Sequence, residues 1–167
     1  MRVGTDALIE IRPLQQGDRE RIQDILVATA VFTEEEVRVA IELIDATLHN
    51  PQQQDYEIFT AVSDQNKIVG YYCVGPTPLT QGTYDLYWIA VDPKSHGQGI
   101  GRLLSEHAED RIRRHGGRLL IAHTSSLPKY DNTRTFYLRY GYLEVARIKE
   151  YYKPGDDLVI YGKYVSQ

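Results

Sequence analysis

Three glycines at alternate positions, Gly97, Gly99 and Gly101, stand between an apolar run ending at Val91 and a helical pattern beginning near Ile100. Glycine reaches positive φ without steric cost and lets a ligand come close to the backbone. Successive backbone N–H groups can then turn into one concavity. The helix start behind them adds unsatisfied donors and the positive end of its dipole. This combination suits a phosphate gripped by main chain rather than by lysines. A P-loop needs Gly-Lys-Ser/Thr, which the chain lacks. The dinucleotide fingerprint needs Gly-x-Gly-x-x-Gly; counted from Gly97 the last place holds Arg102, and from Gly99 it holds Leu104. A ligand-free tight turn would not call for three closely spaced glycines, because each costs backbone entropy on folding.

The stretch from Val91 to Leu104, VDPKSHGQGIGRLL, resembles the signature of the GNAT (GCN5-related) N-acetyltransferases. Their Gln/Arg-x-x-Gly-x-Gly/Ala loop corresponds to His96-Gly97-Gln98-Gly99-Ile100-Gly101, with His96 replacing Arg or Gln. Trp88-Ile89-Ala90-Val91 resembles the family's fourth strand. Residues 132–142, NTRTFYLRYGY, resemble its Asn-x-x-Ala-x-x-Phe-Tyr-x-x-x-Gly-Phe motif, one residue shorter before Phe136, with Thr135 near the usual Ala and Tyr142 for Phe. The match runs over about residues 83–144.

The resemblance implies a coenzyme site for acetyl-CoA as co-substrate, with no metal. Gln98, Gly99, Ile100, Gly101 and Arg102 would hold the pyrophosphate, with His96 and Gly97 opening the loop. The backbone of Ile89, Ala90 and Val91 would pair with the pantetheine arm and polarise the thioester carbonyl. Asn132, Phe136 and Tyr137 complete the implied binding set.

Acetyl transfer to an amine needs oxyanion stabilisation, a base for the ammonium proton and an acid for the leaving thiolate. The family transfers directly, so no nucleophilic Cys or Ser is required. Tyr137 falls on the tyrosine the family often uses as general acid; a phenol of pKa ~10 matches an alkyl thiolate. Its plainer reading is a core tyrosine on the last helix. Some members carry a base Glu on the fourth strand, where this chain has Asp85. Asp85 could equally be a solvent-facing strand residue. Others, ribosomal-protein alanine acetyltransferases among them, carry a Glu on the fifth strand. His123 is the substitute there, its imidazole pKa of ~6.5 suiting a base, although a lone strand histidine is commonly structural. Glu57 and Tyr151 are further polar candidates. Cys73, in an apolar strand, reads as a small buried hydrophobe.

The elements that must position these residues follow from periodicity. Residues 7–12 alternate as a strand. A helix opens at Gly17-Asp18 with Ile22, Ile25 and Leu26 inward. Thr33 and Glu36 have capping-box spacing, followed by Val37, Ala40, Ile41, Ile44 and Leu48 on one face. Strands over 56–63 and 68–75 form a hairpin, and a further strand spans 83–91. After the glycine loop a helix runs to His115, closed by Gly116-Gly117. A strand at 118–124, a short helix at 132–140, and strands at about 142–152 and 158–164 complete the order β-α-α-β-β-β-α-β-α-β-β, the last two joined by the turn Pro154-Gly155-Asp156-Asp157. This predicts one α/β (α+β) domain over residues 1–167, with a mixed, mostly antiparallel sheet and helices on both faces. A V-shaped split is expected between the fourth strand (83–91) and the fifth (118–124).

Composition agrees. A chain of 167 residues with 42% hydrophobic and 25% charged residues is ordinary for one globular domain. No apolar run approaches a membrane span and no secretory signal is legible. One cysteine excludes an internal disulfide and a Cys-based zinc cluster, and points to a cytoplasmic setting. A net charge of −4 argues against a nucleic-acid partner. The expected activity is acetyl-CoA-dependent N-acetylation of a primary amine of a small molecule, the acceptor lying between residues 18–50 and 142–164. A protein N-terminal or lysine acetyltransferase is the alternative, and a non-catalytic acyl-CoA sensor is the rival from another class. A homodimer is implied by the resemblance alone.

Overall fold

The computed structural model describes residues 2–3 and 7–165. In chain order the elements are β1 (Arg2–Val3), β2 (Ala7–Pro13), α1 (Arg19–Ala28), α2 (Glu34–His49), β3 (Glu57–Ser63), β4 (Ile68–Pro76), β5 (Thr83–Val91), α3 (Ile100–Arg114), β6 (Leu119–Ser125), α4 (Asp131–Arg139), β7 (Leu143–Lys153) and β8 (Asp156–Tyr164). Hydrogen-bonded neighbours follow the order β1-β2-β3-β4-β5-β6-β8-β7. The registered pairs are antiparallel except β5 with β6, which is parallel and runs from Thr83–Leu119 to Asp85–Ile121. The sheet is thus mixed and mostly antiparallel, as expected. The two-residue β1 was not anticipated; it is too short to carry a periodic signal. Among the described residues, no helix is long and apolar enough to cross a membrane.

The chain folds as two compact units interleaved in sequence. The first takes the residues up to Gly75 together with Trp88–Ala108; the second takes Pro76–Tyr87 and everything from Glu109 onward. In the first unit, α2 starts as its capping box requires. Thr33 Oγ1 accepts from Glu36 N at 3.1 Å, and Glu36 Oε2 accepts from Thr33 N at 2.6 Å. The stripes of α1 and α2, with Ile22, Ile25, Leu26 and Ile44 fully buried, pack on Ile58, Val62, Tyr71 and Cys73 of β3 and β4. Each such side chain contributes roughly 1.5–3 kcal/mol of burial, an upper figure. The other face of the same strands carries α3. There Phe59 stacks on Tyr72 at 5.4 Å, and Tyr72 Oη meets His107 Nδ1 at 2.8 Å. Gly70 makes that approach feasible, since a Cβ on it would sit 2.9 Å from Ala90 O and 3.0 Å from Leu104 Cδ1.

In the second unit β6 pairs with β8 along its whole length, and β8 pairs with the exposed strand β7. Strand β8 begins at Asp156, so the expected four-residue turn shrinks to Pro154-Gly155, with Gly155 at φ +81°. Tertiary partners explain the difference: Ser125 Oγ donates to Asp156 Oδ1, and Asp157 N donates to Ser126 Oγ at 2.8 Å. Lys163 of β8 pairs with the buried Glu109 and donates to Tyr140 O at 2.9 Å, which holds the end of α4.

Candidate active site

The glycine loop lies wholly in the first unit. Asp92 closes β5 by donating its N–H to Val69 O at 2.8 Å. Its carboxylate Oδ1 accepts from Lys94 N at 3.1 Å, capping a single 3-10 turn over Pro93–Ser95. Gly97 (φ +78°) and Gly99 (φ +75°) then take left-handed conformations, where an L residue would be strained by roughly 1–2 kcal/mol. Gly101 already belongs to α3. Its value is therefore the missing side chain rather than an unusual φ. The first helical bond runs from Leu103 N to Gly99 O at 3.1 Å, so the amides of the first turn have no acceptor within the helix. Ile100 and Leu104 are buried and pin this helix start, while His96, Gly97, Gln98 and Gly99 are exposed. A Cβ added at Gly97 would meet nothing within 4 Å. This open, amide-rich helix terminus fits a diphosphate. Arg102 is engaged with Glu106 at 2.7 Å across one helical turn, at a largely exposed position.

Ile89, Ala90 and Val91 lie past the last registered pair of β5 with β6. Just before them, Trp88 receives Phe32 of the α1–α2 connection edge-on at 5.2 Å. Phe32 also walls a cavity of about 400 Å³ formed with Gln23 and Val27 of α1 and Val37, Arg38 and Ile41 of α2.

The second unit holds the three residues expected to do chemistry. Asp85 is half-buried and accepts from Thr77 Oγ1 at 2.6 Å. It faces Ile121 across the parallel pair. Residues paired in register project to one side, as do alternate residues of a strand, so His123 shares the side of Asp85. Ala122 points oppositely, opposite Tyr161. Tyr137 of α4 packs on that second side, stacked on Tyr161. Asp85 and His123 are therefore grouped, and Tyr137 is set across the β6–β8 ladder from them. Tyr137 is 5% exposed, and burial pushes its phenol well above the ordinary value, so it keeps its proton. Phe136 lies against Tyr140 at 4.8 Å, and Asn132 is exposed in the first turn of α4. Among the described residues no group of three His, Cys, Asp or Glu is placed to hold a metal ion.

Residues 54–144 match the Acetyltransferase (GNAT) domain family. The chain belongs to the GNAT acetyltransferases. A GNAT-family protein from Desulfovibrio desulfuricans has 41% identity and a TM-score of 0.88, over 95% of this chain and 99% of that one. The ribosomal-protein-S18-alanine N-acetyltransferase of Escherichia coli shares the fold at 20% identity and TM-score 0.74, each chain covered to 96%. An aminoglycoside 6'-N-acetyltransferase complexed with coenzyme A does so at 15% identity and TM-score 0.71, over 93% of this chain and 97% of that one. Among curated proteins, no relative matches. Within this GNAT chain the sequence reading missed Thr77 behind Asp85 and Asp92 beneath the loop. The Asp-Pro step at Asp92-Pro93 was a usable signal, since Asp readily caps the turn that Pro opens; nothing local marked Thr77.

Proposed function

We propose that this GNAT acetyltransferase moves the acetyl group of acetyl-CoA directly to a primary amine of a small molecule. The observation that carries the reading is the exposed α3 terminus, where Gly97 and Gly99 take left-handed conformations, the first-turn amides have no acceptor within the helix and Gly101 presents no side chain. When bound there, acetyl-CoA supplies the activated acetyl thioester. The backbone of Ile89 to Val91 orients its pantetheine arm. His123, exposed on its strand, takes the ammonium proton. Asp85, held by Thr77, favours the cationic amine by charge. Tyr137 donates a hydrogen bond to the departing sulfur; a phenol raised by burial is a poor outright acid but a firm donor. Cys73 supports direct transfer, because burial pushes its thiol up to about 12 and leaves no thiolate to form an acyl-enzyme. A cavity of about 400 Å³ beside Phe32, lined by α1, α2 and their connection in the first unit, is of small-molecule size.

The test is acetyl-CoA turnover across small amines and across peptides with free N-termini or lysines. The expected result is turnover with a small amine, a large loss of kcat in His123→Ala, and a raised KM for the amine in Asp85→Asn. Turnover with peptides alone assigns a protein substrate. Coenzyme binding without any turnover assigns a sensor.

A further inference from the structure

The coenzyme loop is tied to helix α1 by one side chain. Arg21 donates from Nε to Ile68 O at 3.2 Å and from Nη2 to Asp92 Oδ2, forming an ion pair. Asp92 is only 3% exposed. Its second carboxylate oxygen caps the turn through Lys94 N, and its carbonyl accepts from Ser95 N at 2.8 Å. A single buried carboxylate thus joins α1, the end of β5 and the turn that launches Gly97. Burial alone would raise its pKa, but the Lys94 amide and Arg21 outweigh that and hold it below the usual carboxylate range.

We propose that Arg21 and Asp92 are positioning residues that preset the glycine loop, so that Arg21, which belongs to the helix pair, controls coenzyme affinity through Asp92. This rests on the loop being the diphosphate cradle. Without Arg21 the carboxylate is left buried and unpaired, and the turn it caps must shift to reach water. A misplacement of about 1 Å in a preorganised site can cost 10²-fold.

The experiment is calorimetric titration with coenzyme A on the full chain, with thermal melts establishing that each variant is folded at the titration temperature. Arg21→Met should weaken binding about 10-fold or more, and Asp92→Ala at least as much. The double variant should be no weaker than Asp92→Ala alone, because Arg21 acts through Asp92. Asp92→Asn, which keeps the acceptor for Lys94, is the milder variant should Asp92→Ala fail to fold, and should also weaken binding. Arg12→Met breaks a comparable ion pair, of β2 with the similarly buried Asp18 that precedes α1, and should leave affinity within about twofold. Affinity of Arg21→Met within twofold of wild type, equal losses in Arg12→Met and Arg21→Met, or additive losses in the double variant overturn the proposal. Wild type that fails to bind, or a Gly99→Val variant that binds normally, overturns the loop assignment itself and this inference with it.

Discussion

Tyr137 stacks on Tyr161 with ring centroids 5.4 Å apart and planes inclined by 25°. Tyr142 closes the same pocket edge-on at 5.2 Å. Two neighbouring rings therefore fix one phenol, and its orientation is inherited from β8 and the α4–β7 junction rather than from α4 alone.

Tyr137→Phe keeps this stack and deletes only the hydroxyl. A hydrogen bond to a charged group is worth roughly 1.5–3 kcal/mol, so kcat should fall about 10- to 100-fold with little change in KM for acetyl-CoA. Because burial raises the phenol, it stays protonated beyond pH ~10, and any fall in rate between pH 8 and 10 belongs to another group. A steady-state pH profile of wild type and variant checks both statements. An unchanged kcat removes Tyr137 from the chemistry.

Helix α2 and the glycine loop were legible because their determinants are local. The Thr33–Glu36 box spans one turn, and the left-handed positions at Gly97 and Gly99 carry the one residue type that adopts them freely. The misread turn at Asp156-Asp157 shows the opposite case. Two acidic residues after Pro-Gly favour a turn by themselves, yet Ser125 at the end of β6 and Ser126 just past it draw them into β8. The site behaves the same way. The family resemblance pointed to Asp85, His123 and Tyr137, but which of them share a side depends on the register Asp85–Ile121 and Ala122–Tyr161. Thr77, Arg21 and Asp92 escaped notice because their roles are defined by partners remote in sequence or by a packing distance.

Cys73 makes stability fall on the alkaline side. Its folded thiol is pushed up to about 12 by burial, whereas in the unfolded chain it ionises near pH ~8.5. The raised value means that the contribution is complete below the unfolded pKa and is lost as pH rises toward the folded one. Between about pH 8.5 and 9.5, before most tyrosines ionise, stability should drop by up to about 1.4 kcal/mol per pH unit. Denaturant unfolding at several pH values measures this slope. Cys73→Ala should flatten it, and an identical slope in that variant would refute the assignment.

Gly97 and Gly101 separate backbone strain from ligand access. At Gly97 a methyl group meets open space, so Gly97→Ala acts through φ +78° and should cost roughly 1–2 kcal/mol. Gly101 lies inside α3, where alanine is the better helix former by up to about 1 kcal/mol. Gly101→Ala should therefore hold or raise the melting midpoint while Gly97→Ala lowers it. Both should weaken coenzyme A, the first by occupying the approach to the first-turn amides and the second by turning them away. Thermal melts paired with calorimetry decide it. Normal affinity in Gly101→Ala would mean that no ligand comes close to the backbone at that position.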